Sequence, residues 1–209
     1  KVDPDTGTRT TVADGLPSQA SPELGEAVGP ADVAFIGSTL YYLQTHGGEG
    51  YGFPDNPTGI YRIDSSGNAH LVANIGAFNI ANPTEAIIDG SQTDVEVGGN
   101  PYAMDVHAGN FYVTDGNHNR LLRVSTSGSI TEITEFPDHP VSTGLDFGTD
   151  GFAYVSYLGQ GPFFPEDGKV VKVNLSTGVI TELASGQPWL TDVEFGPGGK
   201  LYATQFNNV

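Results

Sequence analysis

Five acidic side chains at matching positions of a repeated strand carry the clearest chemical potential in this chain. Asp32 and Asp192 hold the first acidic position of that strand, and Asp105, Asp146 and Glu194 stand two residues later. Spacing of two puts both columns on one side of a strand. If such strands line a common channel, the carboxylates converge, and several hard oxygen ligands suit Ca²⁺, the one cofactor this pattern would hold. The competing use of the same groups is to accept hydrogen bonds from neighbouring backbone amides at strand ends. No loop has the spacing of an EF-hand.

A second set of residues lies in the connectors. His46, Glu49, Tyr51, Phe53 and Asp55 fall in one, and Phe163, Phe164, Glu166 and Asp167 in another. Aromatic rings beside carboxylates suit a planar or carbohydrate-like ligand, or a cation. Trp189 precedes one of the acidic strands, where it either contacts a ligand or packs between repeats. The run Thr114-Asp115-Gly116-Asn117-His118 is the most polar turn. Asp and Asn with Gly make a tight turn by bonding their own backbone, and the functional alternative makes Asp115, Asn117 and His118 ligands at a channel mouth. Nucleophilic catalysis is not indicated: there is no Gly-x-Ser-x-Gly elbow and no cysteine, and His46, His107, His118 and His139 lack the close pairing of zinc ligands.

The elements that must position these groups are turn-rich. The chain has 209 residues, 29 of them Gly and 14 Pro, yet aromatics reach 10% and apolar clusters recur, so it folds. With 25 acidic against 8 basic side chains, the net charge of -17 argues against nucleic acid and anionic membranes as partners. No segment approaches the ~18 apolar residues of a membrane span. The low charged fraction, 16%, beside abundant Gly, Ser, Thr and Asn is common in exported proteins, so an extracellular or periplasmic location is expected.

Two hairpin types alternate along the chain. One reads apolar, basic, apolar, then a Gly turn: Tyr61-Arg62-Ile63 to Gly67, Leu122-Arg123-Val124 to Gly128, and Val171-Lys172-Val173 to Gly178, with a truncated copy at Val2 to Gly7. The other joins an acidic strand to an aromatic one, as in Asp32-Val33-Ala34-Phe35 with Leu40-Tyr41-Tyr42. Four-stranded units at this repeat length predict an all-β fold, a β-propeller with strands a to d running outward from the axis. The divisions are a half blade over 1–14, blades over about 30–75, 101–136 and 142–185, and a half blade over 189–205. The two halves would sum to a fourth blade if the ends met; a larger ring of which this is an internal stretch is the preferred expectation.

The a-b and c-d turns are short, whereas the long connectors 14–31, 45–59, 74–102 and 157–168 are all d-a or b-c. Alternating strand direction puts those two classes on one face, where long loops on a rigid scaffold carry binding. The leading expectation is a scaffold that binds a small molecule, glycan or protein there. The alternatives are a metal-dependent enzyme, hydrolase, lactonase-like or oxidative, built on the acidic columns, and an assembly protein that self-associates through open blade edges.

The segment Tyr112-Val113-Thr114-Asp115-Gly116-Asn117-His118-Asn119-Arg120-Leu121 resembles the strand-turn-strand signature of NHL repeats. The order of Val2-Asp3-Pro4, Gly15-Leu16-Pro17-Ser18, Gly29 to Phe35, Asn100-Pro101-Tyr102-Ala103-Met104, Pro140 to Leu145 and Leu190 to Pro197 resembles the ScyD/ScyE family of bacterial propellers. That resemblance implies an exported six-bladed propeller of which this chain is a middle part. It brings no family-wide catalytic motif, and the metal pattern of gluconolactonase-type propellers is not present recognisably.

Overall fold

The computed structural model describes residues 1–20, 27–85, 88–89, 92–93, 96–161 and 163–206. After a two-residue pair, β1 (Gln19–Ala20) with β2 (Ala27–Val28), the first four-stranded sheet is β3 (Pro30–Ile36), β4 (Thr39–Gln44), β5 (Gly59–Ile63) and β6 (Ala69–Asn74). A helix, α1 (Ile75–Ala81), and a second short pair, β7 (Ile88–Asp89) with β8 (Gln92–Thr93), fill the next connector. The second sheet is β9 (Pro101–His107), β10 (Asn110–Asp115), β11 (Arg120–Val124) and β12 (Ile130–Glu135). The third is β13 (Ser142–Phe147), β14 (Ala153–Tyr157), β15 (Gly168–Val173) and β16 (Ile180–Gln187), and β17 (Leu190–Gly196) pairs with β18 (Lys200–Gln205). All pairings are antiparallel between consecutive strands.

The sheets stack edge-inward, with β3, β9, β13 and β17 as successive neighbours. Period-2 alternation gives each sheet two apolar faces, and each boundary is one core. Tyr41, Leu43 and Ile60 of the first sheet pack against Met104, Phe111 and Leu122 of the second. Tyr112 and Leu121 on the other face meet Leu145, Val155 and Val171 of the third, and Val170 meets Leu190 and Val193. The face of β3 away from the second sheet is open. Val33 and Phe35 are 59% and 61% exposed there, whereas Met104, Leu145 and Val193, at the position of Val33 in the other innermost strands, are buried.

The first hairpin is slighter than the repeat grammar suggests. Residues 1–14 form one isolated bridge, Val2 with Arg9, closed by Asp3 N donating to Thr8 O and Thr10 N to Lys1 O, both at 2.9 Å. Its backbone still occupies a repeated place. A Cβ added at Gly67, Gly128 or Gly178, the c-d turn glycines, would lie 3.2, 2.3 and 2.7 Å from the carbonyl oxygens of Val12, Val72 and Ile133 respectively. Each turn is thus seated on the outer edge of the segment before it.

The long 74–102 connector contains a helix that the strand pattern does not announce. Asn74 caps it, its Oδ1 accepting from Ala77 N at 2.8 Å, while Ile75 is buried in the first core and Phe78 packs against it. The 45–59 connector holds a 3₁₀ turn, Glu49–Tyr51.

Gly128 combines a φ of +90° with that 2.3 Å approach, whereas Gly37, at φ +61°, faces open space. Gly128→Ala is therefore expected to cost about 2–4 kcal/mol, and Gly37→Ala only about 1 kcal/mol from left-handed strain. Urea unfolding of the two variants measures the difference.

Candidate functional site

The innermost strands carry the acidic columns toward the axis, and the carboxylates are used mainly by the backbone. Asp32 accepts from its neighbour Val33 N at 2.7 Å and, across the blade boundary, from Met104 N at 2.8 Å. Asp146 repeats this with Phe147 N at 2.7 Å and Phe195 N at 2.5 Å. Asp105 and Asp192 accept from Val106 N and Val193 N at 2.6 and 2.9 Å. Burial, and then crowding, leaves Asp32, Asp105, Asp192 and Glu194 reluctant to ionise. Burial pushes Asp105 up to about 6, with the Asp146 carboxyl adding to the rise. Burial likewise raises Asp32, Asp192 and Glu194 above the ordinary carboxylate range. Among the described residues no group of three or more His, Asp or Glu side chains is placed to hold a metal ion. Of the set expected to hold Ca²⁺, Asp32, Asp105, Asp146 and Asp192 each commit at least one carboxylate oxygen to a backbone amide.

At the loop-face end of the same axis lies a cleft of about 700 Å³. Its walls follow the repeat. Ala31, Tyr102, Thr143 and Thr191 come from the second residue of each innermost strand, and Thr45, Gly116, Leu158 and Phe206 each follow the last residue of a second strand. His46, Asn100, Asn117 and Phe163 complete its polar and aromatic lining, and among the described residues no Asp, Glu, Lys or Arg is part of it. The chain as a whole carries a net charge of -17.

A polar scaffold holds the wall residues. Asp115, fully buried, accepts from Asn100 N at 3.0 Å, Asn117 N at 3.1 Å and His118 N at 3.0 Å, and from Asn79 Nδ2 of helix α1 at 2.7 Å. The Thr45 hydroxyl donates to Asn100 Oδ1 at 2.7 Å. Beside it His46, at φ +48°, places Nδ1 3.3 Å from Thr45 Oγ1 and Nε2 3.2 Å from Glu96 Oε2, an ion-pair distance without hydrogen-bond alignment. Burial pushes the Glu96 carboxyl up, but His46 and the donating Tyr51 hydroxyl outweigh it and hold Glu96 below its ordinary value. Of the eight non-glycine residues with positive φ among those described, seven, including His46, Val141, Phe163 and Trp189, lie at this end of the molecule; only Ala108 sits in an a-b turn.

The connector residues singled out from the sequence separate into three groups. Asn117 and Phe163 line the cleft. Tyr51 and Trp189 stand behind it: Tyr51 meets His46 edge-on at 5.0 Å, and Trp189 Nε1 donates to the Phe163 carbonyl at 2.8 Å. Glu49, Phe53, Asp55, Phe164 and Glu166 are not part of the lining. His118 does not reach it either. Fully buried, it places Nε2 2.9 Å from Glu96 O and Nδ1 3.1 Å from the Thr84 hydroxyl; since a carbonyl only accepts, Nε2 carries the proton. Thr45, His46, Asn100, Tyr102, Thr143 and Thr191 complete the wall instead. The signal for them was columnar, since they sit beside the acidic strand starts and aromatic strand ends of the repeat.

No protein-family profile matches the chain and no curated protein matches it. Solved structures do. The chain is similar to a streptogramin B lyase structure (TM-score 0.60, 15% identity, 93% of this chain and 51% of that one). It is also similar to a nidogen/laminin complex (0.57, 12%, 91% and 65%) and to a putative gluconolactonase (0.54, 16%, 87% and 57%). It spans less than two thirds of each of those chains. At such identities the likeness concerns architecture alone, and with the stacked four-stranded sheets it shows a β-propeller fold.

Because Asp105 binds its proton more tightly folded than unfolded, its contribution is full below about pH 4 and is lost as pH rises toward 6. Asp105→Asn keeps an acceptor for Val106 N and a donor for Asp146. It is expected to flatten the stability profile between pH 4 and 6 and to stabilise the protein at pH 7 by about 1 kcal/mol after solvent screening. Denaturant titrations across that range read both effects.

Proposed function

We propose that this chain is the ligand-holding part of an exported propeller of the ScyD/ScyE type, and that it binds a neutral molecule with an aromatic or sugar-like body at the channel mouth, without chemistry of its own. The observation that carries this reading is the lining: exposed rings of Tyr102, Phe163 and Phe206 beside the amides of Asn100 and Asn117 and the hydroxyls of Thr45 and Thr191, with no formal charge. Rings supply stacking area and amides supply directional hydrogen bonds, the usual division of labour in small-molecule sites. A charged ligand would lose hydration there without gaining a counter-ion. Among the described residues no helix is long and apolar enough to cross a membrane.

Trp189, the single tryptophan, is tied to the Phe163 carbonyl and so reports on the cleft. Phenyl β-glucoside is expected to change Trp189 fluorescence saturably and with little dependence on salt. Phe163→Ala and Tyr102→Ala should each weaken it about 2–10-fold, while Glu49→Gln and Glu166→Gln leave it unchanged. Equal affinity for phenyl phosphate, or a steep salt dependence, would sink the reading.

Association through the open ends of the blade array has its own support in the exposure of Val33 and Phe35. Native mass spectrometry over a concentration series is expected to show dimers that Phe35→Ser abolishes.

A further inference from the structure

The fold builds a second cleft, of about 410 Å³, on the outer part of the boundary between the second and third sheets. Its chemistry is the reverse of the channel mouth. Asp138, Asp167 and Glu182 line it against a single cation, Lys169, which is already engaged by Glu182 at 3.3 Å. Asp138 and Asp167 are left facing the cleft with no cation beside them among its lining residues. The Asp167 carboxylate accepts a long bond from Phe164 N at 3.3 Å.

A second, independent feature sits in the same wall. Tyr157 lines the cleft, is 4% exposed, and its hydroxyl has no hydrogen-bond partner among the described residues. A buried hydroxyl left unsatisfied is costly, so a native one points to a group that a ligand supplies. Burial pushes the phenol well above its ordinary range, so it persists as a neutral hydroxyl with an oxygen able to accept. The remaining wall includes the apolar Val171 and Ile180.

We propose that this cleft is a second binding site, for an organic cation: a primary or secondary amine on a small apolar body. The ammonium donates to the carboxylates of Asp138 and Asp167 and to the Tyr157 oxygen, while the body lies against Ile180 and Val171. Charge-assisted bonds from N⁺–H to carboxylate are the strong class of hydrogen bond, and the acidic rim repels anions. The site is independent of the channel mouth, which shares none of its lining residues.

The test uses 2-phenylethylamine, with 2-phenylethanol and phenylacetate as its neutral and anionic counterparts, in methyl NMR of the intact chain. Ile180 and Val171 report the second cleft and Leu158 the channel mouth. The amine is expected to shift Ile180 and Val171, to bind at least about tenfold more tightly than the alcohol, and to weaken as salt rises. The double variant Asp138→Asn, Asp167→Asn should lose about tenfold or more. Tyr157→Phe should lose about threefold while its thermal midpoint holds or rises, because no protein partner is lost. Equal binding of the alcohol, shifts confined to Leu158, or unchanged amine affinity in the double variant would overturn the proposal. So would a lowered midpoint in Tyr157→Phe, which would show that the hydroxyl already has a structural partner.

Discussion

One buried carboxylate organises the end of the propeller where ligands would enter. Asp115 gathers three backbone amides and the Asn79 amide group, and these donors come from the turn after β10, the approach to β9 and helix α1. A buried charge is tolerated only when its hydrogen bonds are complete, so the loops that supply donors are held as tightly as the charge is. Arg120, also fully buried, extends the arrangement by donating to Asn79, to Asn82 O and to Glu132, with its guanidinium over Phe78. The long connector between the first and second sheets is thereby pinned by polar contacts at its helix. Asn100 and Asn117, which line the cleft, stand directly on this network.

The same economy governs the axis. Carboxylates of the innermost strands reach across to the amide of the next strand, Asp32 to Met104 and Asp146 to Phe195. Hydroxyls tie the second boundary, where Thr114 donates to Thr143 O at 2.5 Å, and reinforce the third, where Thr143 donates to Leu190 O at 2.9 Å. Apolar cores hold the blades face to face, but they are tolerant of sliding; directional bonds at the axis fix the register. Burial first, and the neighbouring acids second, raise Asp32, Asp105, Asp192 and Glu194 above the ordinary carboxylate range.

Much of the architecture was legible before any coordinates. The alternation of two hairpin grammars located fourteen of the strands but left their ends up to about three residues short, because period-2 burial and Gly turns are local signals. The helix over Ile75–Ala81 was missed: seven residues following a strand carry too short a periodicity to stand out, and only the Asn74 cap marked it. The candidate site was legible in part. Connector aromatics drew attention by their type, and Phe163 lies in the cleft while Phe164, next to it, does not.

What the sequence alone determined is the repeat, the alternation of buried faces and the gathering of long connectors at one end, since each follows from spacing along the chain. Which of those residues meet was decided by the tertiary structure. The acids of the innermost strands turned to backbone amides, His118 was committed on both nitrogens, and small neutral residues such as Thr45, Thr143 and Thr191 became the wall of a cleft. The physical reason is that a site at a propeller axis is assembled from one or two positions per blade, far apart in sequence, and their convergence depends on how successive sheets pack.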